Sequence, residues 1–440
     1  MGLIILSSLL ITLSIEPFAL WLLTLIAWIP LLIALKETTF RLGFQLGLLH
    51  GFLTLAATLP WLIEIFFGIA PVLWLILALF TGIFGGLAAH PRLKNSPALL
   101  ALIWTGLEYY RSEHFFLSFP WITPGTAFLP SLLDSVIGVF GVTFLIILSA
   151  LFLSKKRWSW GAAILLVLIT TTVQSPEDPD PESSFTVGLV QNEGMNFDDY
   201  RALSAPLKDE VDAIVWPEYA ISFDPTHERN AFALKDIQAL LASHSQLLVS
   251  GGQTWHDIEN ETWSNTAFTF GKEGLLGTHF KNHTVHFFND GEKGKTAKAI
   301  DTPLGRIGTP ICFDCDHQDV IRRMTADGAT AFLIPSMDAI PWTARQHLQH
   351  ATLFRHRAAE NGRWLAIAST SGVTQIIDPL GHQRAALPLM DEGVMTGEIS
   401  HKHHRTFFQR GGWLIGPICL IGTVGIILWV AFSRWKARRP

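Results

Sequence analysis

The sequence predicts a multi-span bundle of membrane α-helices joined to an α/β domain that lies outside the cytoplasm. Of its 440 residues, 49% are hydrophobic and only 16% are charged, whereas a soluble globular protein has about 25% charged residues. The charges are also unevenly spread: residues 1–174 hold 8 Lys+Arg and 6 Asp+Glu, while residues 175–408 hold 19 and 31. Within the second segment short apolar runs alternate with helical patterns, which is typical of an α/β domain.

Composition divides the chain into four parts. Residues 1–174 are the predicted transmembrane bundle, and 175–184 form a linker rich in Pro, Asp, Glu and Ser. Residues 185–408 form the α/β domain, and 409–440 a closing membrane anchor with a basic tail. The excess of acid in 175–408 argues against nucleic acid as a partner, because phosphates attract basic surfaces.

A membrane span needs about 20 apolar residues. The candidate segments are 3–14 with 18–35, 42–63, 71–89, 97–112, 132–153, 158–174 and 411–432. The first pair is interrupted at Glu16-Pro17, where proline lacks the N–H that a continuing helix requires. The two pieces form either a short hairpin or one kinked helix, which gives eight or seven spans.

The basic residues of the loops predict the orientation, because cytoplasmic loops carry an excess of Lys and Arg. With eight spans, all four basic clusters fall on one side. They are Lys36 and Arg41, Arg92 and Lys94, Lys155 to Arg157, and Arg434 to Arg439. Both termini are then cytoplasmic and the acidic domain lies outside. Seven spans would place the first cluster on the opposite face.

The loop 115–125 is rich in aromatic residues and proline, and it includes Phe119 and Trp121. Such residues concentrate at the level of the lipid headgroups. The loop is either a simple interfacial anchor or a lipid-facing wall of a site above the membrane, and spacing does not decide between them.

Residues 185–408 read as alternating strands and helices. The predicted strands are 185–190, 213–216, 246–249, 267–270, 308–313, 331–334, 366–369 and 374–377. The predicted helices are 228–244, 316–328 and 341–362. Apolar strands alternating with helices indicate a sheet that is covered on both faces.

Three residues at or after predicted strands have matched chemical roles. Glu218 follows the run 213–216, Cys312 follows an apolar run, and Lys281 follows a strand-like stretch. A thiol nucleophile, a carboxylate base and a fixed cation suit acyl transfer from an ester or amide. A helix beginning near Asp316 would favour the thiolate through its positive end.

Each of these residues also has a structural reading, since a buried Cys is usually inert, a Glu can begin a helix and a Lys can be a solvated charge. A separate alternative starts from Cys312 and Cys315, which form a Cys-x-x-Cys followed by His317, in a segment that holds 14 of the 17 histidines. This pattern fits a redox or metal-binding domain. Because a second Cys-x-x-Cys is missing, we expect neither a metal site nor a cofactor.

The motifs Trp216-Pro217-Glu218, Lys281-Asn282-His283 and Cys312-Phe313-Asp314 resemble those of the nitrilase superfamily. Combined with the apolar segments, the whole chain resembles the apolipoprotein N-acyltransferases, the membrane-embedded branch of that superfamily. Further similar segments are 16–18, 29–32, 107–112, 119–121, 138–142, 346–348, 357–363, 372–374 and 378–381.

The resemblance implies an αββα sandwich with a Glu-Lys-Cys triad formed by Glu218, Lys281 and Cys312. It implies a bacterial inner-membrane enzyme whose catalytic domain is periplasmic. A phospholipid would donate the acyl group to Cys312 as a thioester, and the amine of an apolipoprotein's diacylglyceryl-cysteine would accept it. The alternatives are a membrane-tethered amidase, in which water resolves the acyl-enzyme, and a related acyltransferase with another acceptor.

The sequence departs from the family near the lysine. The segment 283–289 lacks the family's supporting glutamate, and the sequence leaves open whether Asp290, Glu292 or neither takes its place. The segment 336–342 also differs. Both lie in loops expected to contact substrate, and the apolar residues proposed to do so are Phe119, Trp121, Phe287, Phe288 and Trp342.

Overall fold

The computed structural model describes residues 1–437, which divide into a helical unit and an α/β unit. The helical unit comprises Met1–Gln174 together with the chain from Arg410 onward. The α/β unit comprises Ser175–Gln409. The predicted fold class, a helical bundle plus an αββα domain, is confirmed.

Apolar helices make up the helical unit. They are α1 (Gly2–Ser14), α2 (Thr24–Ala27), α3 (Ile29–Ala34), α4 (Phe40–Thr58), α5 (Leu62–Phe66), α6 (Ala70–Ala88), α7 (Pro97–Tyr109), α8 (Asp134–Ser154), α9 (Trp158–Thr170) and a C-terminal helix (Ile415–Ala437). One π-helical turn, Tyr110–His114, extends α7.

The chain reverses at the interruption between the first two apolar pieces. The Ser7 hydroxyl of α1 donates to the Ala27 carbonyl at 2.6 Å, and the Leu20 amide donates to the Leu13 carbonyl at 3.0 Å. Helix α1 therefore packs beside α2 and α3 as a hairpin, which is the arrangement that eight spans require.

Among the described residues, four helices are long and apolar enough to cross a membrane. They are Phe40–Thr58, Leu62–Ala88, Asp134–Ser154 and Gly412–Ser433. The segments Gly2–Ser14, Trp21–Ala34 and Trp158–Thr170 are apolar but shorter. The number of spans and their orientation stay predictions.

Helices α4 and α6 pack through glycines that bring their backbones together. A Cβ atom at Gly47 would lie 2.3 Å from the Thr81 carbonyl oxygen, and one at Gly43 would lie 2.4 Å from that of Gly85. Small residues permit this close approach between apolar helices, where dispersion contacts hold the pair together.

The α/β unit contains two six-stranded sheets within the described residues, ordered β12-β1-β2-β3-β4-β5 and β11-β10-β9-β8-β7-β6. The strands are β1 (Ser184–Gln191), β2 (Ala213–Val215), β3 (Leu247–Asp257), β4 (Thr262–Gly271), β5 (Gly274–Phe280), β6 (Ile300–Thr302), β7 (Gly305–Gly308), β8 (Ala331–Ser336), β9 (Leu365–Ser369), β10 (Gln375–Ile377), β11 (Gln383–Ala386) and β12 (Gly393–Ser400). The central strands β1–β3 and β7–β9 are parallel.

Helices cover the outer faces of both sheets. They are α10 (Phe197–Ser204), α11 (Ala231–Leu240), α12 (Asp319–Ala326) and α13 (Thr343–Asn361). The short helix α14 (Phe407–Arg410) spans the boundary at which the α/β unit ends. One apolar core lies between the sheets, joining Val187 and Val249 to Leu333 and Ala366. Two further cores lie beneath the helices on either side. The layers are therefore helix, sheet, sheet and helix.

The structure corrects two of the predicted elements and shows what the predicted linker contacts. The predicted strand 308–313 is wrong: β7 ends at Gly308, Pro310 has no N–H for a strand ladder, and Cys312–Cys315 is a 3₁₀ turn. Helix α12 begins at Asp319 rather than near Asp316. In the predicted linker 175–184, Glu177 pairs with Lys402 and Asp178 with Arg384, so this segment lies against the α/β unit.

We predict that Gly47→Ala destabilises the helical unit, because the new methyl group must displace backbone of α6. Overpacking of this kind costs about 1–3 kcal/mol. The measurement is the midpoint of thermal unfolding in detergent. Gly425→Ala is the matched control, since no atom lies within 4 Å of a Cβ at that exposed helical position. Equal midpoints for both variants would contradict the packing argument.

Candidate active site

Glu218, Lys281 and Cys312 line one cavity of about 460 Å³ in the α/β unit. Glu218 follows β2, Lys281 follows β5, and Cys312 begins the turn after β7. Their exposed fractions are 2%, 1% and 5%. Strand ends are where α/β sheets present their sites, and the three predicted residues are brought together there.

Lys281 lies between two carboxylates. Its Nζ donates to Glu218 Oε1 at 2.7 Å and contacts Asp290 Oδ2 at 2.8 Å. Asp290 is thus the supporting acid of the two offered by the sequence, because Glu292 is exposed. A buried ammonium requires such partners, since an unpaired buried charge is strongly destabilising.

Two residues that the sequence analysis did not identify complete this cluster. Asn265 Nδ2 donates to Glu218 Oε1 and to Asp290 Oδ1, both at 2.6 Å. The Tyr219 hydroxyl donates to Asp290 Oδ1 at 2.5 Å. Asn265 is a fully buried amide in β4 and precedes the predicted strand 267–270, so the sequence carried no direct signal for its role.

The cluster shifts the pKa values of its members in different directions. Burial raises the pKa of Glu218. Burial also disfavours the charged forms of Lys281 and Asp290, but their mutual attraction outweighs it. The pKa of Lys281 is therefore held well above its usual value and that of Asp290 below. At neutral pH Lys281 and Asp290 are charged, and Glu218 is the member closest to accepting a proton.

The thiol of Cys312 rests protonated. Burial, and then the negative charge of Glu218, raise its pKa well above the usual range, and Lys281 only partly offsets this. The predicted stabilisation of a thiolate by a helix N-terminus is wrong, because α12 starts seven residues later at Asp319. Attack by sulfur therefore requires a base at the moment of reaction.

Cys312 has φ 45°, in the left-handed region that side chains other than Gly rarely adopt. Such a conformation costs about 1–3 kcal/mol and persists only when its surroundings enforce it. It turns the side chain toward the cavity, where Sγ donates to the Met337 carbonyl at 3.5 Å.

Asp314 ties the Cys312 turn to the strand end that carries Lys281. Its carboxylate accepts from the backbone amides of Asn282 at 2.9 Å and His283 at 2.8 Å, and lies 2.9 Å from His279 Nε2. It also accepts from the Ile311 amide at 3.1 Å. One buried carboxylate thus fixes the position of the thiol relative to the lysine.

Gly251 in β3 allows the backbone of Glu218 to pass close by. A Cβ atom at Gly251 would lie 2.4 Å from the Glu218 Cα. The Gly251 amide donates to the Pro217 carbonyl at 3.1 Å, and the Glu218 amide donates to the Ser336 carbonyl at 3.2 Å. The backbone that carries the Glu218 carboxylate is therefore hydrogen-bonded to strands of both sheets, β3 and β8.

The remaining cavity wall is mostly apolar and includes two of the predicted contact residues. Phe288 and Trp342 line it, with ring centroids 5.7 Å apart. The other apolar lining residues are Met195, Trp255, Trp263, Val285 and Met337. Phe287 is not among the lining residues and is 64% exposed.

Phe119 and Trp121 belong to the helical unit. Trp121 is buried against Trp61 at 5.2 Å and Phe119 at 5.5 Å. Arg111, paired with Glu108 at 2.9 Å, donates to the carbonyls of Phe119 and Trp121. The loop is thus anchored from within, and Trp121 packs inside the helical unit.

Cys315, the second half of the Cys-x-x-Cys, is buried in the core with Val320 and Met324. Both Cys312 and Cys315 are free thiols. Within residues 1–437, no three His, Cys, Asp or Glu side chains are grouped to hold a metal ion.

Two family models match adjacent parts of the chain. Residues 7–152 match the apolipoprotein N-acyltransferase N-terminal domain, and residues 190–406 match carbon-nitrogen hydrolase. Apolipoprotein N-acyltransferase of Geobacter metallireducens is 27% identical over 98% of this chain and 95% of its own length. That of Pseudomonas paraeruginosa is 26% identical over 96% and 93%. The two models together match most of the chain, the relatives align along nearly its whole length, and the chain belongs to the apolipoprotein N-acyltransferase family.

Proposed function

We propose that this enzyme transfers a fatty acyl group from a membrane phospholipid to the amino group of a lipoprotein's N-terminal diacylglyceryl-cysteine, through a thioester on Cys312. Membership of the family supports lipoprotein N-acylation. The observation that carries the mechanism is the buried cluster of Glu218, Lys281 and Asp290 beside a protonated thiol in an apolar cavity.

In the first half-reaction, Glu218 accepts the thiol proton as sulfur bonds to the carbonyl carbon of the phospholipid ester. The ester oxygen then leaves with the proton held by Glu218, which releases a lysophospholipid and leaves a thioester. Lys281 has three N–H donors, and two of them point at Glu218 and Asp290. The third is available for the oxyanion of the tetrahedral intermediate.

In the second half-reaction, the lipoprotein amine attacks the thioester carbonyl. Glu218 accepts a proton from the amine and returns it to sulfur as the carbon–sulfur bond breaks. An amide forms and the Cys312 thiol is regenerated. The two substrates react in turn at one thiol, which gives ping-pong kinetics.

The apolar cavity wall supports an acyl chain as the bound group. An acyl chain that lies against Phe288, Trp342 and their apolar neighbours gains about 25 cal/mol of binding free energy per Å² of apolar surface removed from water. An apolar wall also favours an acyl acceptor with a lipid chain over water at the thioester, and that choice distinguishes transfer to an amine from hydrolysis by an amidase.

We also propose a bacterial inner-membrane location, with a periplasmic α/β unit and cytoplasmic termini. The four basic loop clusters support this orientation through the excess of Lys and Arg in cytoplasmic loops.

For the acyl-enzyme, we expect the purified protein to retain label from a phospholipid with a radioactive acyl chain, and neutral hydroxylamine to release it. Cys312→Ala should retain none, whereas the matched Cys315→Ala should behave like the wild type. Adding a diacylglyceryl peptide should move the label to its amine. Label retained by Cys312→Ala, or free fatty acid as the main product, would refute this mechanism.

For the base, Glu218→Gln should lower the pH at which Cys312 is alkylated, because it removes a negative charge that raises the thiol pKa. The same change should reduce acyl transfer by about 10²–10⁴-fold. The measurement is iodoacetamide labelling against pH, quantified by mass spectrometry of the Cys312 peptide. Glu292→Gln, which alters an exposed carboxylate, is the control. An unchanged labelling profile in Glu218→Gln would argue against an electrostatic interaction between Glu218 and the Cys312 thiol.

For the orientation, a membrane-impermeant maleimide should label Glu261→Cys in spheroplasts and should leave Lys156→Cys unlabelled until the cells are lysed. Both positions are exposed, and both changes are made in a Cys312→Ala background, because the Cys312 thiol lines the cavity whereas Cys315 and Cys419 are buried. The reverse labelling pattern would overturn the proposed topology.

A further inference from the structure

A buried histidine on α13, His350, lies between two carboxylates behind the thiol. Its Nδ1 donates to Asp338 Oδ1 at 2.8 Å, and its Nε2 lies 3.1 Å from Asp316 Oδ1. The side chain is 3% exposed, and both carboxylates are buried as well. The mechanism derived above uses none of these three groups.

The two carboxylates belong to the two segments that surround the Cys312 sulfur. Asp316 ends the 3₁₀ turn that begins at Cys312, and its amide donates to the Phe313 carbonyl at 3.2 Å. Asp338 directly follows Met337, whose carbonyl accepts from Cys312 Sγ. His350 therefore joins the turn that carries the thiol to the segment that receives its hydrogen bond.

The two carboxylates favour a protonated ring. A neutral imidazole has a single N–H, so it can donate to only one of two ionised carboxylates, whereas an imidazolium donates from both nitrogens. Burial alone lowers the pKa of His350, but the charges of Asp338 and Asp316 outweigh it and raise the pKa to about 10.

Asp338 has neutral partners in addition to this cation. Gln346 Nε2 donates to its Oδ1 at 2.9 Å, and the Thr370 hydroxyl donates to its carbonyl at 3.0 Å. Without His350 the segment keeps these hydrogen bonds but loses its counter-charge. The negative charge of Asp338 then acts on the thiol without compensation.

We infer that His350 is a positioning residue for acyl transfer: its imidazolium holds the Cys312 turn against the Met337 carbonyl and neutralises one of the two carboxylates behind the sulfur. The titratable groups that act on it include Asp316 and Asp338 from the two packed segments, and His347, one turn earlier on α13, acts on Asp338. As a role in catalysis, this inference rests on the proposed function.

The decisive experiment compares variants that change the charge around His350 and keep side chains of similar size. Wild type has one cation and two carboxylates, His350→Gln has two carboxylates alone, and the double variant His350→Gln/Asp316→Asn returns the net charge to that of wild type. His347→Gln is the comparison variant on the same helix: this buried histidine contacts the Ala339 carbonyl and lies near Asp338, but it does not join the two carboxylates.

We expect His350→Gln to lower kcat at least about tenfold with the phospholipid KM within about twofold. The pH at which Cys312 is alkylated should rise, because a nearby positive charge is lost. The double variant should recover the alkylation profile and part of kcat, and His347→Gln should change both measurements less than His350→Gln does. A double variant as impaired as His350→Gln in both measurements would overturn the charge role.

Asp316→Asn alone keeps the test decisive where His350→Gln does not fold. It retains the cation and removes one carboxylate, so Cys312 should be alkylated at lower pH than in wild type. An unchanged profile would overturn the inference. Alkylation of Cys312 needs no substrate, so it tests the role of His350 independently of acyl transfer. If wild type forms no acyl-enzyme, the proposed function is refuted, but the alkylation test of His350 still stands.

Discussion

The structure of the site depends on one buried ammonium. Lys281 is 1% exposed and lies within 2.8 Å of two carboxylates, Glu218 and Asp290. Removing ions from water costs several kcal/mol each, and their attraction repays this only when the geometry is good and the other hydrogen-bonding groups are satisfied. Asn265 and Tyr219 serve that requirement, and it explains why residues from distant parts of the chain converge on one point.

The backbone around this cluster is held in conformations that it would not adopt alone. Cys312 and Tyr219 both have positive φ, at 45° and 60°. Gly251 passes so close to Glu218 that it has no room for a Cβ. Strain of this kind persists where packing and hydrogen bonds enforce it, and the Asp314 carboxylate does so beside the thiol. The sheets thus supply the rigidity that fixes a nucleophile relative to its base and cation.

Sequence patterns predicted the parts of the fold that are buried on both faces. Strands such as Ala213–Val215 and Ala331–Ser336 are continuous apolar runs because parallel strands at the centre of a sheet are covered on both sides. The strand Gly393–Ser400 was missed because it lies at an edge and is partly exposed. The triad was identified from local motifs, whereas Asn265 and His350 gain their roles from contacts across the chain, with residues 47 and 34 positions away. A single sequence carries no signal for such distances.

The presence of two carboxylates around one lysine has a physical consequence for the proposed chemistry. Glu218 must be ionised to act as the base, and the cluster of Glu218, Lys281 and Asp290 then carries a net charge of −1 before attack. When Glu218 accepts the thiol proton and the oxyanion forms, one negative charge has moved from the carboxylate to the substrate oxygen, and the net charge is again −1. The buried net charge is therefore redistributed around a fixed ammonium and does not increase when the oxyanion forms. Asp290 keeps Lys281 charged and in place while Glu218 is neutral, which is the preorganisation that electrostatic catalysis requires.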